Sequence, residues 1–144
     1  MVRGRASAGH LTTATKHDET ATERAARLGP AAMRVFFNIA RQWGLNQHEQ
    51  QTLLALPRST LAKYRTRPET ARLSPDTLER ISYIVGIYKA LQILLPRAEA
   101  ADGWMRRPNT NPLFGGRSAL DRMMSGRVAD LYVVRHYLDG QRGW

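Results

Sequence analysis

The fold is decided by residues 46–67, which read NQHEQQTLLALPRSTLAKYRTR. Asn46 and Glu49 have the spacing of a capping box, in which an N-cap side chain and an acidic side chain three residues later each accept a hydrogen bond from the other's backbone N–H. Leu56-Pro57 ends this first short helix, and Ser59 is placed to cap a second one. Two short helices joined by a tight turn have the arrangement of a helix-turn-helix, so the sequence predicts that motif here.

The second of these helices presents basic side chains that could meet DNA. Leu61 and Tyr64 are predicted to face inward, which leaves its polar and basic positions at the surface. In a helix-turn-helix, residues at the start of the second helix reach base edges, whereas flanking residues contact the phosphate backbone. The residues predicted to bind DNA are Thr60 and Lys63 at base edges, with Gln47, Arg58, Ser59, Arg65 and Arg67 at the backbone.

The composition of the chain agrees with a polyanionic partner. A formal net charge of +10 and a sequence pI of about 11.0 favour nucleic acid first and an anionic membrane surface second. The chain contains no cysteine, which excludes a disulfide scaffold and a thiol nucleophile and fits the cytoplasm. No segment reaches the roughly 20 apolar residues that a membrane span needs, and no apolar stretch follows Arg3 and Arg5. We therefore expect neither a membrane protein nor a secretory signal.

Upstream of the motif, an amphipathic helix is predicted to open at Gly29-Pro30, because proline suits the first turn of a helix. Its residues Met33 and Phe36, and Trp43 after them, could belong either to the core or to a dimer face. Residues 1–28 hold few large apolar side chains, which predicts a flexible arm.

Downstream, a longer helix is predicted from Ser74 and Pro75 over about 20 residues, with apolar residues at every third or fourth position. Gly86 lies inside it and costs about 1 kcal/mol relative to alanine, which indicates close packing between helices. Prolines and glycines exclude regular structure over residues 107–116, two short helices follow, and Gly140 is expected to end the last. No alternating strand pattern occurs, so the predicted fold class is all-α.

Taken in order, these elements resemble the antitoxins of the Xre/MbcA/ParS class, which partner toxins with a RES domain. In that class the C-terminal module carries an asparagine, two or three residues later a Phe-x-Gly motif, then a helix of the Leu-Asp type, and finally a last helix and a glycine. The matching residues here are Asn111-Pro112-Leu113-Phe114-Gly115-Gly116, followed by Leu120-Asp121. The resemblance covers about residues 30 to 144.

This resemblance implies an N-terminal Xre-like helix-turn-helix domain and a small helical toxin-binding module at the C-terminus. The corresponding division of the chain is a flexible arm at residues 1–28, a DNA-binding domain at 29–70, a long connecting or dimer helix region at 71–103, and a toxin-binding module with a tail at 104–144. The implied function is that of a type II antitoxin, which silences an NAD-degrading RES toxin and represses its own operon. Its expected partners are that toxin, operator DNA and a second copy of the chain.

Within the toxin-binding module, the residues fall into a structural group and a contact group. The resemblance assigns structural roles to Asn111, Phe114, Gly115 and Gly116, since Phe114 would plug a helix junction and the glycines would permit its turn. The residues expected to contact the toxin are Tyr132, Arg135, Asp139, Arg142 and Trp144. The most specific hypothesis places Arg142, Trp144 and the terminal carboxylate in the nucleotide pocket of the toxin. There Trp144 would stack where a nicotinamide or adenine ring lies, and the carboxylate would meet a cation that normally holds phosphate. The alternative is that the terminus is frayed and makes no such contact.

Three other functions are compatible with parts of the sequence. A stand-alone repressor with a small-molecule or protein-sensing C-terminal region would use Trp104 and Phe114 as ligand walls. An adaptor that binds only protein would not bind DNA. An enzyme is disfavoured because none of the four histidines has a partner at the spacing of a metal site or a nucleophilic centre, and we expect no catalytic residue, no metal and no cofactor.

Overall fold

The computed structural model describes residues 18–143, so the expectations for residues 1–17 and for Trp144 lie outside the described residues. Within that range the chain is helical and forms no β-strand, which confirms the all-α prediction. The helices are α1 (Ala21–Gln42), α2 (Gln47–Leu54), α3 (Arg58–Thr66), α4 (Pro75–Leu94), α5 (Ala98–Trp104), α6 (Ala119–Met123) and α7 (Val128–Gln141). Two 3-10 turns lie at Pro68–Thr70 and Pro112–Phe114.

Helix α1 begins eight residues before the predicted start, so the prediction that Gly29-Pro30 opens it is wrong. The Thr20 hydroxyl accepts the Glu23 N–H at 3.0 Å, and the Glu23 carboxylate accepts the Thr20 N–H at 2.8 Å. This capping box starts the helix, and the chain continues through Pro30. Residues 21–28 therefore belong to a helix rather than to an arm.

The helix-turn-helix prediction holds in its elements and fails in one cap. Asn46 and Glu49 form the expected capping box of α2, and its C-cap, Ala55, has a left-handed conformation with φ of 55°. Helix α3 starts at Arg58 after Pro57, without a side-chain cap, so the prediction that Ser59 is its N-cap is wrong. Proline already supplies the extended backbone that precedes the first turn, and Ser59 lies within that turn.

Helix α4 is the central element of the fold. Ser74 caps it and Pro75 occupies its first turn, as predicted, and it runs for 20 residues. It packs against α1 on one side and α7 on the other, which is why residues on several of its faces are buried. The close packing predicted at Gly86 is confirmed, because a Cβ at that position would lie 2.2 Å from Cζ of Arg135 on α7.

The C-terminal part folds around a closed loop between α5 and α6. The Asn109 N–H donates to the Arg117 carbonyl at 2.9 Å, and the Leu120 N–H donates to the Met105 carbonyl at 3.0 Å. Helix α7 then passes through Gly140 and ends at Gln141, so the predicted end at Gly140 is wrong. Glycine weakens a helix without stopping it, and here the helix ends two residues before the left-handed Gly143.

One continuous hydrophobic core joins the N-terminal and C-terminal parts. Met33, Phe36 and Trp43 are all buried in it, which resolves the choice between core and dimer face in favour of the core. The same cluster includes Met105, Met123 and Leu131 and their neighbours from the C-terminal helices. Among the described residues, no helix is long and apolar enough to cross a membrane.

Candidate functional site

The first candidate site is the basic outer face of α3. Burial of Leu61 and Tyr64 against α1 and α2 orients the helix and leaves its other side in solvent. Arg58, Ser59, Lys63, Arg65 and Arg67 are exposed, whereas Gln47 and Thr60 are half-buried. Among the ion pairs of residues 18–143, none involves Arg58, Lys63 or Arg67, so their charges are available to a polyanion.

Arg65 differs from the other basic residues of α3 because it also packs within the protein. Its guanidinium lies 5.1 Å from the centre of the Phe37 ring, a cation–π distance. The same group donates to the side-chain oxygen of Gln50 at 3.0 Å. Arg65 thus links α3 to α1 and α2, and it can offer a phosphate only the donors that remain.

Arg80 is a buried arginine that sequence reasoning missed. Its Nη1 donates to the Leu53 carbonyl at 3.3 Å and to the Gly126 carbonyl at 2.8 Å, while Nε donates to Asp76 at 2.8 Å. It therefore joins the end of α2 to the turn that precedes α7. The available signal was its position: Arg80 shares the buried face of α4 with Thr77 and Ile81.

Arg106 makes a second connection between the two parts of the molecule. Its two terminal nitrogens donate to the Glu49 carboxylate at 2.8 and 3.0 Å, and Nη2 also donates to the Gly44 carbonyl at 2.7 Å. These hydrogen bonds lower the pKa of Glu49 and raise the pKa of Arg106. A residue beyond α5 thus holds the N-terminal turn of α2, a contact that local sequence patterns do not indicate.

The motif residues of the C-terminal part surround a buried aromatic ring. Phe114 is only 4% exposed and meets Trp104 and Tyr137 edge-on, with ring centres 6.1 and 5.4 Å apart. The Asn111 side chain accepts the Leu113 N–H at 2.9 Å. Gly115 and Gly116 follow with φ of 58° and 81°, a conformation that favours glycine. This loop holds Phe114 in the space between α5 and α7.

Asp130 is a further buried group that the sequence did not single out. Its carboxylate accepts hydrogen bonds from Ser125, Arg122 and Arg127. The hydrogen bond from Ser125, and after it those from the two arginines, hold the pKa of Asp130 below its usual range. The site fixes the turn between α6 and α7 and so sets the direction in which α7 leaves that turn.

The predicted toxin contacts lie along one side of α7, at a spacing of three or four residues. Tyr132 is 49% exposed, stacks on His136 with ring centres 5.5 Å apart and meets Tyr83 edge-on. Arg135 lies across Gly86 and donates to Asp139 at 3.2 Å. We call the exposed surface of Tyr132, Arg135, His136 and Asp139 the α7 face.

The last residues differ from the predicted trailing tail. Gln141 is helical and Arg142 caps α7, so the helix extends past Gly140 into the predicted tail. The Arg142 side chain is only 14% exposed, and its Nη1 lies 3.8 Å from Oδ1 of Asp139. Because the helix continues, Arg142 is held against its own last turn.

Comparison with known proteins divides the chain into the same two parts, an N-terminal part that contains α3 and a C-terminal part that contains α7. Residues 24–86 match the antitoxin Xre-like helix-turn-helix domain, and residues 90–143 match the antitoxin Xre/MbcA/ParS C-terminal toxin-binding domain. The uncharacterized protein y4oB of Sinorhizobium fredii is 50% identical over 115 residues, which cover 79% of this chain and 86% of that protein. Both domains are of antitoxin type, which suggests a role without catalysis. The chain belongs to the Xre-type antitoxins, with a DNA-binding helix-turn-helix domain followed by a toxin-binding domain.

Proposed function

We propose that this antitoxin binds and inhibits a RES-domain, NAD-degrading toxin of a type II system and represses its own operon as a homodimer. The observation that carries the toxin proposal is the α7 face, where Tyr132 is 49% exposed within the region that matches a toxin-binding domain. Exposed tyrosine beside arginine is a composition that interfaces favour. Action on DNA and on such a toxin would take place in the cytoplasm.

Inhibition would require the antitoxin to cover the nucleotide pocket of the toxin. Tyr132, Arg135 and Asp139 would supply the docking contacts of the α7 face, because they are adjacent and reach solvent. Trp144, which follows α7 in the sequence, would approach the pocket, whereas Arg142 would first have to leave its position against Asp139. There an indole ring could stack in place of a nicotinamide or adenine ring.

The toxin proposal is tested by co-expression with a RES-domain toxin encoded beside this gene. We expect the two proteins to co-purify, and the NAD⁺ content of the cells to be preserved. Tyr132→Ala should weaken the complex by about 2 kcal/mol, or roughly thirtyfold in Kd, as truncation of an interface hot spot does. Leu113→Ala is the matched control, since Leu113 is 41% exposed in the same domain but lies in the Pro112–Phe114 turn.

Two results would count against the toxin proposal. Unchanged NAD⁺ consumption by the toxin in the presence of the wild-type protein would exclude that toxin as a target. Equal toxin affinity of Tyr132→Ala and Leu113→Ala would exclude the α7 face as the docking surface. A variant that lacks Trp144 separates docking from inhibition, because we expect it to bind the toxin and to protect NAD⁺ less well.

The DNA proposal rests on the exposed charges of α3 within the helix-turn-helix match. A single module buries little DNA surface, so we propose that two copies read two half-sites about one helical turn apart. Binding to the upstream region of the operon should follow log K against log salt with a slope of about −4.5 for each protomer that contacts about five phosphates. Lys63→Ala should weaken DNA binding, and sedimentation of the free protein should show a dimer. If the wild-type protein does not retard that DNA in a gel at about 0.15 M salt, the proposal is refuted.

A further inference from the structure

Helix α2, the first helix of the helix-turn-helix, is connected at both ends to the toxin-binding domain, directly through Arg106 at one end and through a bridge made by Arg80 at the other. At its N-terminal end, Arg106 donates two hydrogen bonds to Glu49 and one to the Gly44 carbonyl. At its C-terminal end, Arg80 donates to the carbonyls of Leu53 and Gly126 and so joins them. Arg106 and Gly126 both lie in residues 90–143, the part that matches the toxin-binding domain.

We propose that Arg106, although it belongs to the toxin-binding domain, is a positioning residue for DNA binding. The proposal rests on the DNA binding proposed above and extends it: the unit that engages DNA includes a side chain from outside the helix-turn-helix domain. Arg106 acts through Glu49 on the N-terminal turn of α2, where Gln47 is the predicted phosphate contact.

The geometry gives Arg106 two effects on that turn. Its fork of two hydrogen bonds fixes a carboxylate that also accepts the Asn46 N–H at 2.8 Å, so it holds the capping box of α2 in place. It also neutralises Glu49, which lies two residues from Gln47 and would otherwise repel a phosphate there. Glu49 is the more buried member of the pair, with its side chain 12% exposed against 47% for Arg106.

The same contact connects the two binding functions. If a bound toxin shifts the segment that carries Arg106, it changes the position of α2 and therefore the affinity for the operator. Thermodynamic linkage then requires that operator DNA changes the affinity for the toxin by the same factor. Removing Arg106 should leave the toxin contacts in place while it weakens DNA binding.

The experiment measures operator binding of the full-length protein with the variants Arg106→Gln, Glu49→Gln and both together. We expect Arg106→Gln to weaken binding about tenfold, and to have a much smaller effect in the Glu49→Gln background, because the two residues act as one unit. The salt slope should stay within experimental error of the wild type, whereas loss of a direct phosphate contact lowers it by about 0.9. Arg107→Gln is the matched control, since Arg107 donates to the Ala100 carbonyl within its own domain and should leave binding unchanged.

Several outcomes would overturn the inference. Unchanged operator affinity of Arg106→Gln would do so, as would a salt slope lowered by about 0.9. A third such outcome is that Arg106→Gln weakens binding as strongly in the Glu49→Gln background as it does alone. Toxin binding by Arg106→Gln shows that the variant is folded. If this variant does not fold, Arg106→Lys takes its place: lysine keeps the charge but cannot form the two parallel hydrogen bonds to Glu49, so it should bind DNA with intermediate affinity. If wild-type protein does not bind operator DNA at all, the DNA proposal itself fails rather than the role of Arg106.

Discussion

At the scale of single residues, Gly86 separates a structural role of Arg135 from a role in toxin binding. In Gly86→Ala, the new Cβ would displace the Arg135 side chain, which lies 2.2 Å away at Cζ. The variant gains about 1 kcal/mol of helix propensity, which offsets the lost packing, so thermal stability should change little. Toxin binding should nevertheless fall, because Arg135 no longer lies on the α7 face as before.

Gly140 provides the matched control, since it is also inside a helix but has open space around its Cβ position. Gly140→Ala should raise the stability by about 1 kcal/mol and leave toxin binding unchanged. Thermal unfolding and co-purification measure both properties in one set of samples. Equal toxin affinity for the two alanine variants would show that the position of Arg135 is unimportant.

Asp130 gives a prediction for pH at the same scale. Hydrogen bonds from Ser125 and the two arginines depress its folded pKa, so its stabilisation is present above the unfolded pKa and is lost as the pH falls through the folded pKa. Asp130→Asn should therefore cost about 2 kcal/mol at neutral pH, as expected for buried hydrogen bonds to a charge. Below about pH 4 the difference between variant and wild type should shrink, which urea unfolding at a series of pH values measures.

At the scale of secondary-structure elements, local signals predicted helices well and boundaries unevenly. Asn46 with Glu49, and Ser74 with Pro75, were correctly identified because each cap acts within one turn. Gly29-Pro30 misled the prediction, since proline is common at a helix start but is also accommodated inside α1 once Thr20 has capped it. The contacts of Arg80 and Arg106 could not be predicted, because they join residues far apart in sequence.

The two helix starts that the structure corrected can be tested as a pair. Thr20→Ala should destabilise the protein by about 1 kcal/mol, because it removes one half of the capping box of α1. Ser59→Ala should change stability by less than about 0.5 kcal/mol, since Ser59 makes no cap hydrogen bond in α3. Chemical unfolding of both variants measures the difference, and a larger effect at Ser59 would contradict the boundaries of these helices.

At the scale of the whole molecule, the order of the two modules was predictable from the sequence, but the hydrophobic core that they share was not. The motif around Phe114 and the helix pair before it identified two antitoxin modules, each of which has a local pattern. That both modules share one core depends on α4, whose Ile84, Ile87 and Ala90 are buried between its neighbours on either side. An amphipathic stripe predicts one buried face, so the second buried side of α4 needed the three-dimensional arrangement.

A shared core predicts that the described part of the protein unfolds in a single step. Trp43 is buried in the N-terminal half and Trp104 packs on Phe114 in the C-terminal half, so each can report on its own module. Their fluorescence is separated in two variants, one with Trp104→Phe and Trp144→Phe, the other with Trp43→Phe and Trp144→Phe.

In each variant, the urea midpoint from the remaining tryptophan should coincide with the midpoint from far-ultraviolet circular dichroism, as cooperative unfolding requires. Comparison within one variant removes the effect of the substitutions on stability, because both signals come from the same protein. Arg80→Met is the informative addition, since it breaks the bonds to Leu53 and Gly126 while a long side chain still fills that position on α4. We expect this variant to unfold at a lower urea midpoint but still in one step, because α1 and α7 still pack against α4. If the tryptophan variants that retain Arg80 unfold in two separate transitions, the modules fold independently.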